Sequence, residues 1–202
     1  MLSCALIAED DAGMQRDYWY TAARAPEDLL TPEHVGRIAG ERTVSRLGAR
    51  QLGPLECPVL FEASEAADLL GAFVHAVSGG SLYRKSSFLL DSLGTPIFAS
   101  HVNVREEPHL RRARGSAPFD SDGVKTEPRD VVTDGVVRGY FLGSYSARKL
   151  GMQSTGNAGG AHHLVVPGTL DLRASLRRMG QGRFGTDTLV QAGTVDTGAS
   201  SR

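Results

Sequence analysis

A chain of 202 residues with 41% hydrophobic and 22% charged side chains is long enough to bury a core and has the make-up of an ordinary soluble globular protein, of one domain or two small ones. Its formal net charge of −1 argues against a chain built mainly to hold nucleic acid, which shows a clustered basic excess. Cys4 and Cys57, its two cysteines, are too few for a disulfide scaffold and lack zinc-knuckle spacing, and no apolar run approaches the ~20 residues of a membrane-spanning helix. The apolar start Met1 to Ala8 has no cationic stretch before it and runs into Glu9-Asp10-Asp11, so the chain reads as cytoplasmic, with no membrane attachment and no direct nucleic-acid partner.

In chain order, Leu2 to Ala8 and Tyr18 to Ala22 read as two strands around the turn-forming Asp10-Asp11-Ala12-Gly13. A helix is expected from Pro32 to Leu47: Thr31 caps it, Pro32 suits its first position, Glu33 favours the positive end of its dipole and Gly48 stops it. Pro58 to Glu62 reads as a short strand with a buried Cys57 before it. Ser64 is placed to cap a helix running through Val77, with Gly79-Gly80 ending it.

Beyond that helix the pattern turns to strand and loop. Val131-Val132-Thr133, Asp134-Gly135 and Val136 to Leu142 form a hairpin signal, because Asp-Gly readily takes the positive φ angles of a type I′ turn. Ser144 is expected to cap a short helix through Leu150, with Gly151 as its C-terminal stop. The class is therefore α+β, with a β-rich second half.

The candidates for chemistry are few. Arg111, Arg112 and Arg114 read as a solvated basic loop. His162 and His163 are adjacent on a strand-like segment and point to opposite faces, so they do not readily share a metal. His101, His109, Glu106 and Glu107 form a loose loop cluster without ligand spacing. The segment Gly151 to Ala158 has P-loop glycine spacing, but Asn157 and Ala158 stand where Lys and Ser/Thr would meet phosphate and Mg²⁺. Its glycines either let the backbone turn tightly or let an extended peptide approach closely. Ser86, Ser87, Ser144 and Ser146 lie beside basic residues without a nucleophile elbow, and Arg84-Lys85 and Arg148-Lys149 serve either as surface charges or at an interface.

Two long segments, Tyr83-Arg84-Lys85-Ser86-Ser87-Phe88-Leu89-Leu90-Asp91-Ser92-Leu93-Gly94 and Ser144-Tyr145-Ser146-Ala147-Arg148-Lys149-Leu150-Gly151 through Gly160, closely resemble the PmbA (TldE) branch of the TldD/PmbA family. Gln15 to Tyr20 and Ser116 to Asp120 fit the same branch. The resemblance covers residues 1–182 as an incomplete, C-terminal-region fragment, followed by a divergent, Gly/Ser/Thr-rich and poorly ordered tail over 183–202. It implies a component of a cytoplasmic TldD/TldE-type metalloprotease acting on unfolded peptides and in peptide maturation.

In the TldD-like pattern L-L-H-E-x-x-x-H, Leu69-Leu70 match, but Gly71, Ala72 and Ala76 stand at the first His, the Glu and the second His. His75 falls one residue early, about 100° around the helix, and reads as a packing or hydrogen-bonding residue. The resemblance thus implies no metal or cofactor in this chain, zinc in a TldD-like partner, no catalytic residue here, and a peptide-contact role for Gly156, Asn157, Gly159 and Gly160 with Arg84 and Arg148. A self-standing metallopeptidase and a regulatory binding protein acting on gyrase are the alternatives.

Overall fold

The computed structural model describes residues 1–50 and 53–186. The chain folds as two compact units: Met1–Leu55 with Leu110–Ser116, and Glu56–His109 with the remainder from Ala117.

In the first unit, β1 (Leu2–Asp10) and β2 (Gly13–Thr21) pair antiparallel in a register that runs from Leu2↔Thr21 to Asp10↔Gly13. The Asp10 carboxylate closes the turn by accepting from the Ala12 and Gly13 amides at 2.9 and 3.1 Å. That turn chemistry carries the pairing beyond the expected ends at Ala8 and Tyr18. Helix α1 (Pro32–Ser45) starts at the Thr31 cap, whose hydroxyl accepts from the His34 amide. Val35, Ala39 and Thr43, each four residues apart, are buried on the face that packs against both strands. Asp17 is buried beneath Arg42 and Arg46 at 3.4 and 3.2 Å.

Arg111, Arg112 and Arg114 are exposed, as expected of a solvated loop. Arg112 pairs with Glu27 and Asp28, and Arg24 donates to the Arg114 and Ser116 carbonyls.

The second unit opens with β3 (Val59–Phe61), then α2 (Ala63–Ala76) and α3 (Gly79–Tyr83). β4 (Val104–Glu106), β5 (Arg129–Thr133) and β6 (Val136–Val137) follow, then α4 (Ser144–Leu150), β7 (Leu164–Val165), α5 (Leu172–Met179) and β8 (Arg183–Gly185). Four strands form an antiparallel sheet in the order β6-β5-β4-β7, and β3 pairs parallel with β8. Arg183–Gly185, assigned from the sequence to a divergent tail, thus join a strand pair; residues 187–202 of that tail lie outside the described residues. The core gathers Val77, Leu82, Val104, Val131, Val137 and Leu142, with Phe73 edge-on to Phe98 at 5.1 Å.

Three expected caps are reassigned. Glu62, not Ser64, holds the N-cap position of α2, and it makes no side-chain cap. Gly79-Gly80 does not end a helix but opens α3, because the Ser78 hydroxyl accepts from the Ser81 amide and caps a new turn. Ser144 is the first helical residue of α4, with Gly143 before it, while Gly151 closes the helix in the left-handed region at φ 68° as expected. Cys57 is half-buried rather than buried.

Asp134 and Gly135 take the expected positive φ angles of 51° and 77°. The returning strand is only two residues long, because Phe141 leaves for another partner: it donates to the Val77 carbonyl and accepts from the Gly79 amide. That exchange ties the end of α2 and the start of α3 to the segment before α4.

Candidate functional site

The segment Thr155 to His162 is held by side chains distant in sequence. Asn157 is buried, and both its amide hydrogens and both carbonyl lone pairs are used. Its Nδ2 donates to Glu106 Oε1 at 2.7 Å and to the Gly160 carbonyl at 3.2 Å. Its Oδ1 accepts from Arg129 at 3.1 Å and from the Thr155 hydroxyl at 2.7 Å. Glu106, 1% exposed, also accepts the His162 amide at 2.8 Å and, through Oε2, Arg129 Nε at 2.7 Å. The Arg129 guanidinium lies over the Phe141 ring at 5.0 Å, and His162 Nε2 donates to the Gly156 carbonyl at 2.8 Å. Glu106 therefore belongs to a strand and a buried network, not to the loop cluster expected around His101 and His109.

Asp120 makes the second anchor. Its carboxylate accepts from the amides of Asp122, Val124 and Ala158, each at 2.9 Å. Burial pushes its pKa up, but the three amide hydrogen bonds, with the nearby His162, outweigh that and hold it below the usual value of 3.8. A carboxyl whose folded pKa is depressed stabilises the fold above its unfolded value and ceases to as pH falls through the folded one. Wild-type protein should therefore lose stability below about pH 3.9 more steeply than Asp120→Asn. Urea midpoints measured from pH 5 to 2.5 check this, and parallel curves for the two proteins would refute it.

On this support sits an open cleft of ≈ 370 Å³. Tyr83 of α3 and Tyr145 of α4 meet edge to face at 5.6 Å on its wall, with Phe141 and Val74 contributing apolar surface. Asp122 lines it as well, with Oδ2 accepting from the Ser144 amide at 3.0 Å. Asn157, Gly159 and Gly160 line the same cleft. Ala158 to Ala161 also form a wall of a second cleft of ≈ 350 Å³, where Phe119, Ser121 and His162 stand.

The structure thus brings three of the six sequence-predicted contact residues into one cleft lining. Gly156 is buried, with its α-carbon against the Lys125 carbonyl. Arg84 lies over the Tyr83 ring at 5.3 Å and donates to its hydroxyl, and Arg148 is exposed on α4 outside both linings. Sequence reasoning misses the two tyrosines and Asp122 as site residues. Tyr83 and Tyr145 each head or nearly head one of the two long segments, and Asp122 lies in a Ser-Asp-Gly turn, but no spacing rule joins the three.

The α2 positions at which a metal helix would carry ligands do not fit a metal. Gly71 is exposed with open space above its α-carbon, and Ala76 is 5% exposed in the core. His75 is solvent-exposed rather than packed, and its imidazole makes no hydrogen bond among the described residues. Among those residues no three His, Cys, Asp or Glu side chains converge as a metal site requires. No helix there is long and apolar enough to cross a membrane.

This α+β arrangement is shared with solved proteins. A Thermotoga maritima protein described as a candidate modulator of a DNA gyrase superposes with a TM-score of 0.81 at 30% identity, over 91% of this chain and 44% of that one. TldE from Thermococcus kodakarensis, at 21% identity, has the same fold with a TM-score of 0.65 over 91% of this chain and 44% of that one.

The chain belongs to the PmbA/TldA metallopeptidase family. The family's C-terminal domain profile matches residues 54–201 and its central domain profile residues 1–47, a division close to that between the two compact units. Metalloprotease PmbA of Escherichia coli O157:H7 is 47% identical over 202 residues, covering 100% of this chain; the chain spans 45% of that relative's length.

Proposed function

We propose that this chain acts as a PmbA/TldE-like, non-catalytic component of a cytoplasmic TldD/TldE-type metalloprotease, supplying a peptide-facing wall while a TldD-like partner supplies zinc and the water-activating Glu. The observation that carries this reading is α2 itself. Gly71, Ala72 and Ala76 have no side chain able to bind a metal or move a proton, although the surrounding helix and core are intact. A subunit that keeps the fold and a cleft, but no ligand set on that helix, suits binding and assembly better than hydrolysis. The substrates in this scheme are unfolded peptides, met by the exposed Gly159-Gly160 backbone and the two clefts that it walls.

The test is reconstitution. A purified TldD-like chain bearing H-E-x-x-x-H, from the same cell, is mixed with this protein and followed by size-exclusion chromatography, zinc content and cleavage of an unfolded peptide. A mixed complex in which zinc stays with the TldD-like chain, and whose peptide cleavage exceeds that of either chain alone, is expected. Zinc-dependent cleavage by this chain alone would overturn the proposal in favour of a self-standing peptidase.

A further inference from the structure

Ala158 to Ala161 is the one backbone segment that walls both clefts, and its middle pair, Gly159 and Gly160, is exposed. At Gly160 nothing lies within 4 Å of where a side chain would start. A stretch of bare backbone that walls two recesses is one onto which another backbone settles closely. Consecutive side chains of an extended peptide point to opposite sides, so a peptide lying along this stretch drops neighbouring residues into different clefts.

The two recesses differ in chemistry. The first is largely apolar, and Asp122 is its one lining residue with a carboxylate or a cationic group. Asp122 uses Oδ2 on the Ser144 amide, and its Oδ1 has no partner among the described residues. Beside it stand the rings of Tyr83 and Tyr145. A carboxylate next to aromatic rings is the combination that recognises an ammonium or guanidinium group on an aliphatic stem. Arg84 and Lys149 lie over those rings at 5.3 and 5.6 Å; neither is a lining residue, although the Arg84 guanidinium stands beside the lining residue Gly80. The second recess offers Phe119, 61% exposed, as a surface for an apolar side chain.

Resting on the peptide-wall reading above, we infer that this stretch binds an extended peptide with a lysine or arginine against Asp122 and an adjacent apolar residue against Phe119. The site is thus a two-residue reader of basic-apolar neighbours rather than a featureless wall.

The test uses the full chain and fluorescein-labelled, unstructured Gly/Ala peptides carrying Lys-Leu, norleucine-Leu, Lys-Ala or Lys-Gly-Leu, with binding read by anisotropy. The Lys-Leu peptide is expected to bind about fivefold more tightly than each of the others, the gain of one partly buried contact. In Asp122→Asn, which keeps the oxygen that accepts the Ser144 amide, the lysine-norleucine difference should vanish while the Leu-Ala difference persists. In Phe119→Ala the reverse is expected. Peptides that bind equally, or preferences unchanged by both substitutions, overturn the two-residue inference and leave the peptide-wall reading standing. No binding of any peptide to the folded protein removes that reading as well.

Discussion

Gly79→Ala should destabilise the protein by about 3 kcal/mol, the upper part of the range for forcing atoms into a packed region. Gly79 is buried, and a Cβ added there would run into both the hydroxyl and the Cβ of Ser146 and would reach Leu142 at 3.1 Å. Its φ lies outside the left-handed region, so the demand is for space alone. The start of α3 and the face of α4 touch at this point, and that packing sets how Tyr83 meets Tyr145 on the cleft wall. Neither partner can give way easily: Ser146 is buried and its hydroxyl is bonded to the Gly143 carbonyl. Because the clash includes the Ser146 Cβ, Ser146→Ala should not rescue it. Ser146→Gly should restore more than half the loss in the double variant, despite the ~1 kcal/mol that glycine costs in a helix. Urea denaturation of the four proteins reads this directly, and additive losses would show that the two sites do not meet.

Glu106→Ala is expected to cost about 3–5 kcal/mol, the range for removing one partner of a buried ion pair. The loss would leave Arg129 Nε, Asn157 Nδ2 and the His162 amide short of an acceptor at once. The conservative Glu106→Gln should fare little better. Both carboxylate oxygens accept hydrogen bonds, so whichever way the amide turns, its NH₂ group faces a donor. An equally large loss in Asn157→Ala, with a strongly non-additive double variant, would establish that they act as one network. Retention of full stability by Glu106→Gln would show instead that this acceptor set is dispensable. Since Gly159 and Gly160 are displayed by the loop that Glu106 and Asn157 hold, peptide binding should fall with stability in these variants, unlike in Asp122→Asn.

Much of the secondary structure is legible locally. Thr31-Pro32 announces α1, Asp134-Gly135 announces the turn between β5 and β6, and Gly151 announces the end of α4, because each acts on backbone groups within a few residues. Local signals mislead where they have two outcomes. Gly79-Gly80 reads as a helix stop and opens α3 instead, since the choice depends on the Ser78 cap and on Phe141 bridging to Val77 and Gly79. The run Val136 to Leu142 reads as one strand, and only that distant pairing draws its second half out of the sheet.

The site divides in the same way. That α2 lacks metal-binding side chains at Gly71, Ala72 and Ala76 is a matter of residue identity, and the sequence alone determined it, together with the α+β class, the near-neutral charge and the glycines of the candidate contact loop. Only the tertiary structure decided that Asn157, Gly159 and Gly160 share a lining with Tyr83, Tyr145 and Asp122, and that Arg148 does not. It alone decided that Glu106, 51 residues before Asn157, anchors the loop. The physical reason is range. Caps, turns and missing ligands are properties of a few neighbouring residues, whereas a buried hydrogen-bond network joins side chains whose meeting depends on the whole chain packing, and it leaves no periodic trace along the sequence.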